Sequence, residues 1–148
     1  MKGVAISLVD APTGRRRLPH TADVVIEAWA PTRAACYAEA VGALVETFAD
    51  TSAVLVTDAA PLRIGPASDE DMLLALLEEV ILLLKVFRMV AAGAVIEEAL
   101  DGGLGGTLDL AALTGVRLIG SVPKSVSRDR LAFSFDGELW TCRATVNV

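Results

Sequence analysis

The stretch that most constrains the fold is 18–50, where the hydrophobic pattern changes from that of a strand to that of a helix. Residues 24–30 are rich in β-branched and aromatic side chains, which favours a strand, and Pro31 ends it. Thr32 then stands where the free amides of a first helical turn need an oxygen acceptor. Apolar side chains follow at helical spacing, namely Tyr37, Val41, Leu44, Val45 and Phe48. The stretch therefore predicts a strand, a short break and a capped amphipathic helix.

A second helix is predicted to begin after Ser68, whose hydroxyl can cap the first turn, with Asp71 three residues further on. The acidic residues 69–71 suit the positive end of the helix dipole. Residues 72–87 are apolar on nearly every side, so we expect this helix at the centre of the core. The run is only sixteen residues long and includes charged side chains, so it falls short of a membrane span.

The remaining segments are predicted to be short strands, at 3–9, 53–57, 61–64, 91–99, 107–113 and 115–119. Two helices among largely consecutive strands indicate an α+β fold. We expect one domain over residues 1–148, with a two-layer, largely antiparallel or mixed sheet that carries both helices on one face.

The C-terminal segment predicts a β-hairpin with strands at 130–135 and 138–148, because Asp136-Gly137 between them has the composition of a two-residue turn. Such a turn pairs Phe133 with Trp140, Leu131 with Cys142, and Val126 with Asn147. Alternation then gives the hairpin an apolar and a polar face. The predicted polar face includes Arg128, Arg130, Thr141, Arg143, Thr145 and Asn147.

Composition excludes several classes of function. The net charge of −6 argues against a nonspecific nucleic-acid surface, which needs a basic face to neutralise phosphates. His20 is the single histidine, so a paired-histidine zinc site is excluded. Cys36 and Cys142 lack the spacing of a metal or redox pair and fit reduced, partly buried thiols. These features favour a cytoplasmic protein without a membrane span.

Residues 20–50 carry a specific resemblance. The tetrapeptide His20-Thr21-Ala22-Asp23 precedes the strand, Trp29 stands near its end, and Asp50 follows the helix. Together with residues 122–127, which read VPKSVS, this order and spacing resembles the archease family. The archease fold, a sheet with two helices packed on one face, agrees with the number of elements expected here.

The resemblance implies a function. Archeases are associated with the RNA ligase RtcB of tRNA splicing and RNA repair, and they promote its guanylylation and turnover without being catalysts themselves. Asp23, Asp50 and Asn147 would be the ligands of a divalent Ca²⁺, Mg²⁺ or Mn²⁺ ion. His20, Lys124 and Arg128 would contact the partner or its nucleotide.

Two departures from the family pattern lie near the C-terminus. The family usually ends in Asp-Ile or Asp-Val, whereas this chain ends in Asn147-Val148, and Arg128 stands where the family has tyrosine. Because ligand charge sets cation affinity, we expect weaker metal binding than in an Asp-ended relative.

Other hypotheses remain open from the sequence. Arg128, Arg130 and Arg143 could instead bind a phosphate or another anion, or the chain could be a divergent archease kept for protein–protein interaction. Asp23 could be a simple turn residue, and His20 a hydrogen-bonded structural one.

Overall fold

The computed structural model describes residues 13–18 and 23–148. His20 and the strand predicted at 3–9 lie outside these residues. The described part has the predicted α+β fold, with two long helices and antiparallel strand pairs. The helices are α1 (Arg33–Glu46) and α2 (Asp69–Phe87), with a short 3₁₀ helix at Leu113–Gly115. The strands are β1 (Gly14–Leu18), β2 (Asp23–Ala30), β3 (Ala49–Asp50), β4 (Asp58–Ile64), β5 (Met89–Glu98), β6 (Leu104–Ala112), β7 (Arg117–Leu118), β8 (Ser125–Val126), β9 (Ala132–Phe135) and β10 (Trp140–Asn147).

A five-stranded sheet contains the predicted strand of residues 24–30. Its order is β1-β2-β10-β8, and β9 pairs with β10 beside β8. Apolar side chains of β2 and β10 alternate toward the core, including Ile26, Ala28, Ala144 and Val146. The alternate positions form the outer face, to which Asp23 and Asn147 belong.

Three further strands, β4-β6-β5, form a second sheet, and β3 pairs with β7 in a third. Helix α1 packs against β2 and β5, whereas α2 packs against β5 and β8, so the two larger sheets share the helices as one core. A bulge at Ala91/Gly93 shifts the register of β5 against β6. The expected central helix is confirmed, since α2 buries nine side chains.

Both predicted helix caps are present. The Thr32 hydroxyl accepts the N–H of Ala35 at 3.2 Å, and the Ser68 hydroxyl accepts the N–H of Asp71 at 3.1 Å. Every apolar residue of the predicted α1 stripe is buried. No helix of the described residues is long and apolar enough to cross a membrane.

Two predicted strands differ in the structure. Residues 53–57 are not a strand, and β4 begins at Asp58, three residues before the strand predicted at 61–64. Pro61 is tolerated there because β4 is an edge strand, and edge strands are where a sheet accommodates a residue without a backbone N–H. The strand expected at 115–119 is reduced to the two residues of β7.

The predicted hairpin register is wrong by two residues. The structure pairs Phe135 with Trp140 and Phe133 with Cys142. The Asp136 N–H donates to the Leu139 carbonyl at 3.1 Å, so the chain reverses at Gly137-Glu138, one residue later than predicted. The Asp136 carboxylate accepts the N–H groups of Glu138 and Leu139, both at 2.8 Å, which stabilises this turn. A slip of two keeps each side chain of β9 and β10 on its predicted face.

The predicted strand 130–135 is also shorter, because β9 begins at Ala132 after a bend that includes Arg130 at a φ of 65°. This bend separates β9 from β8. The register changes across it, so that Asn147 pairs with Ser125 instead of Val126. This one-residue difference decides which side chain lies beside Asn147.

Candidate functional site

Three polar side chains lie in one row across the end of the five-stranded sheet. Asn147 of β10 is the register partner of Asp23 on β2 and of Ser125 on β8. We call these three residues the Asp23 row. The next row, Val24, Val146 and Val126, packs toward the core. Because side chains alternate along a strand, the Asp23 row faces away from the helices.

Hydrogen bonds fix one side of the row. The Asn147 Nδ2 donates to the Ser125 hydroxyl at 2.9 Å, and the Lys124 N–H donates to the Asn147 carbonyl at 2.8 Å. The Lys85 ammonium donates to the Lys124 carbonyl, which ties the last turn of α2 to the start of β8. Within the described residues the Asp23 carboxylate makes no hydrogen bond or ion pair. The row therefore holds one carboxylate whose oxygens are still able to bind a partner.

Asp50 reaches the same end of the molecule by another route. Cys36 near the start of α1 lies 3.7 Å from the Ala28 carbonyl, while Ala40, one turn later, lines a small cavity with Ile26. Helix α1 therefore runs back along β2 toward Asp23, and Asp50 follows its end.

The Asp50 carboxylate already has partners. The backbone N–H of Ser52 at 3.0 Å and its hydroxyl at 2.7 Å hold the pKa of Asp50 below its usual value, and Arg117 lies 3.5 Å away. Asp50 belongs to the separate β3–β7 sheet, where it borders an open cleft of about 280 Å³ with Glu46 and Thr51. The structure thus delivers Asp50 to this end of the protein but does not place it in the Asp23 row.

The predicted arginine face is not formed. Arg128 is exposed in the bend between β8 and β9, and Arg130 lies in the same bend rather than on a strand. The guanidinium of Arg143 lies 3.9 Å from Glu27, whose carboxylate also accepts from Arg16 at 2.6 Å. Because the Glu27 carboxylate already balances the positive charge of these arginines, this part of the sheet gives little support to an anion site.

The donor atoms at this end of the sheet are of the type that a hard divalent cation binds, but they are few. Carboxylate and amide carbonyl oxygens are the ligands that Ca²⁺ and Mg²⁺ prefer. No group of three or more His, Cys, Asp or Glu side chains suited to a metal ion occurs in residues 13–18 and 23–148. Asp23 and Asn147 supply two oxygen donors side by side, and Lys124 lies next to them with an exposed side chain.

Sequence reasoning did not assign a role to Ser125. The register predicted from the Asp136-Gly137 turn places Val126 opposite Asn147, and Ser125 is then expected on the other face of the sheet. The change of register across the 127–131 bend could not be derived from alternation alone. The only sequence signal was the place of Ser125 within residues 122–127, which carried the family resemblance.

Solved structures with the same architecture define the fold. The chain superposes on a solution structure from Methanobacterium thermoautotrophicum with a TM-score of 0.69 and 20% identity, covering 91% of this chain and 99% of that one. It also superposes on a Thermotoga maritima crystal structure, described as an archease and possible chaperone, with a TM-score of 0.64 and 17% identity over 90% of this chain and 96% of that one. The fold is that of a small archease-like α+β domain.

Sequence comparison then identifies the family. The model of the archease protein family matches residues 16–148. Proteins of two Mycobacterium tuberculosis strains, each described as a probable protein archease, are 38% identical over 136 residues, or 92% of this chain and 75% of theirs. This chain belongs to the archease family.

Proposed function

We propose that this protein is an accessory factor that promotes guanylylation and turnover of an RtcB-type RNA ligase in tRNA splicing or RNA repair. In this proposal it acts in the cytoplasm and is not itself the catalyst. Family membership supports a role of this kind, and the Thermotoga relative is described as a possible chaperone.

The observation that carries the proposal is the Asp23 carboxylate, which has no partner among the described residues and stands in register with Asn147. Asp23 and Asn147 would hold a divalent Ca²⁺, Mg²⁺ or Mn²⁺ ion through their oxygens. Such an ion supplies positive charge that can neutralise phosphate oxygens. Asp50 joins this site in the proposal if its bonds with Ser52 and Arg117 open in the complex.

Cationic side chains beside the row have a separate proposed part. Lys124 and Arg128 are both exposed and lie on the segment next to Asn147. They would bind the acidic groups of the partner or the phosphates of its nucleotide. His20 stands three residues before Asp23 in the sequence and is proposed to contact the same partner.

A guanylylation assay tests the proposal. A purified RtcB-type ligase from the same genome is incubated with GTP and a divalent cation, and formation of the guanylylated ligase is followed with and without this protein. We expect stimulation by the wild-type chain and a loss of about tenfold or more for Asp23→Ala, the scale seen when a ligand set is disturbed.

Asp129→Ala is the matched control, because Asp129 is an exposed carboxylate in the nearby bend and outside the Asp23 row. It should stimulate like the wild type. A ligase that is active yet unaffected by the wild-type protein would overturn the proposed function. Equal stimulation by Asp23→Ala would overturn the role of the row alone.

A further inference from the structure

Asn147 lies between Asp23 on one side and Ser125 on the other, and the Ser125 hydroxyl accepts a hydrogen bond from the side-chain NH₂ group of Asn147. We propose that Ser125 is a positioning residue that keeps the carbonyl oxygen of the Asn147 side chain, rather than its NH₂ group, directed toward Asp23. This inference rests on the proposed cation site and concerns how an amide can serve in it.

The geometry follows from the order of three strands. β10 lies between β2 and β8, so Asn147 has Asp23 on one side and Ser125 on the other. The Asn147 Nδ2 donates to the Ser125 hydroxyl at 2.9 Å. Because Nδ2 and Oδ1 are the two branches of one planar amide, a nitrogen that points to β8 leaves the oxygen on the side of β2.

Asp23 by itself favours the opposite arrangement. An NH₂ group that donates to a carboxylate makes a charge-assisted hydrogen bond, which is stronger than a bond between neutral groups. In that orientation Asn147 and Asp23 would bind each other, and the row would present an N–H donor where a cation needs an oxygen. A competing acceptor on β8 is therefore needed, and the Ser125 hydroxyl supplies it.

The backbone prevents Asn147 from avoiding this choice. Its carbonyl accepts the Lys124 N–H at 2.8 Å, and both neighbouring strands hold it in register. Only rotation of the amide remains. A carboxylate at position 147 would have two oxygens and no wrong orientation, so the dependence on Ser125 comes from the amide itself.

Calorimetric titration with Ca²⁺ and with Mn²⁺ tests this role. We expect Ser125→Ala to weaken binding by about tenfold, as removal of groups that orient metal ligands commonly does. Ser125→Thr keeps a hydroxyl and should restore most of the affinity. Ser127→Ala is the matched control, because the Ser127 hydroxyl accepts the Asp129 N–H and does not contact Asn147.

A second readout needs no metal. In nitrogen-15 NMR spectra of the metal-free protein, the side-chain NH₂ signals of Asn147 should move in Ser125→Ala and stay in place in Ser127→Ala. Circular dichroism of each variant verifies that it is folded.

A double-variant cycle separates positioning from other roles. In the Asn147→Asp background, Ser125→Ala should cost almost no cation affinity, because a carboxylate has no nitrogen to misplace. If the loss persists in that background, Ser125 is a ligand or a structural support and the inference is wrong. If the wild type binds cations and Ser125→Ala binds equally well, the inference fails while the proposed site stands. If the wild type binds neither cation, the proposed site fails together with it.

Discussion

Two polar clusters lie at opposite ends of helix α1, and they differ in how completely their atoms are paired. At the start of the helix, Arg33 binds Asp69 through Nε at 2.8 Å and Glu98 through Nη1 at 2.9 Å, and the Tyr37 hydroxyl donates to Asp69 at 2.7 Å. We call these four residues the Arg33 cluster. At the other end, the Asp23 row leaves its carboxylate without a partner among the described residues.

The difference indicates what each cluster does. The Arg33 cluster joins the first turns of α1 and α2 to the end of β5, and the Tyr37 ring continues the contact by stacking on Phe133 at 4.3 Å. Its charges are satisfied within the chain, as a structural cluster requires. The Asp23 row contributes little to the core, and its carboxylate is the group that the proposed function assigns to an external partner. Stability should therefore depend on the first cluster and binding on the second.

The largest expected effect follows from removing the guanidinium. Arg33→Ala leaves the Asp69 and Glu98 carboxylates without their cation, and the Arg33 side chain is only 17% exposed. We expect a loss of about 2–3 kcal/mol in the free energy of unfolding, the usual cost of breaking a largely buried, hydrogen-bonded ion pair. Chemical denaturation measures it.

The control for Arg33 is Arg63→Ala, which breaks an ion pair with Asp101 whose side chains are 56% and 44% exposed. An exposed pair of this kind contributes much less to stability, because water and salt screen it. If the two variants lose equal stability, the Arg33 cluster is not the structural one, and the comparison of the two clusters fails.

A smaller effect, with a characteristic pH dependence, is expected for Tyr37→Phe. Burial raises the pKa of Tyr37, and Asp69 beside the hydroxyl raises it further, so the folded protein keeps this phenol proton above pH 10, where the unfolded chain releases it. The stabilisation is complete below about pH 10 and is lost as the pH rises further. Tyr37→Phe should lose about 1 kcal/mol at neutral pH, the value of one hydrogen bond, and its stability should fall less steeply in alkali.

Tyr37 is the only tyrosine, so tyrosinate absorbance reports on this one group. It should appear together with unfolding. A hydrogen bond with Cys36, together with burial, raises the pKa of Cys142. This thiol is present in both proteins, so most of its contribution cancels in the comparison. Tyrosinate absorbance in the folded protein at pH 10–11, or equal slopes for both proteins, would contradict the prediction.

The sequence predicted the local features of both regions and missed the long-range ones. Thr32 and Ser68 could be recognised as caps because each hydrogen bond spans three residues. Arg33 and Glu98, by contrast, are 65 positions apart, and no periodicity relates them. Ser125 was missed for a related reason, since one bend in the chain changes the register and with it the neighbour of Asn147.

The structure brings together only part of the predicted site, whose role stays a prediction. Asp23 and Asn147 were taken from the family resemblance, and they are register partners on neighbouring strands. Asp50 and Arg128 follow a helix and a strand, and their final positions depend on loops whose conformation is set by contacts with distant parts of the chain. The family resemblance supplied the residues, whereas their arrangement required the fold.

The smallest expected effect is that of Asn147→Asp, which should lower the free energy of unfolding without Ca²⁺ and raise it with Ca²⁺. Asn147→Asp places a second carboxylate directly opposite Asp23, and like charges facing each other across two strands destabilise a sheet by up to about 1 kcal/mol. A bound cation removes this repulsion and stabilises only the folded state. Millimolar Ca²⁺ should therefore raise the free energy of unfolding of the variant above that of the wild type. Denaturation with and without Ca²⁺ measures both values, and Ser134→Asp, an added carboxylate at an exposed position of β9, should not respond to Ca²⁺. If the variant is destabilised equally with and without the ion, the Asp23 row is not a cation-binding site. The Asp23 row and the Arg33 cluster would then differ only in their contributions to stability.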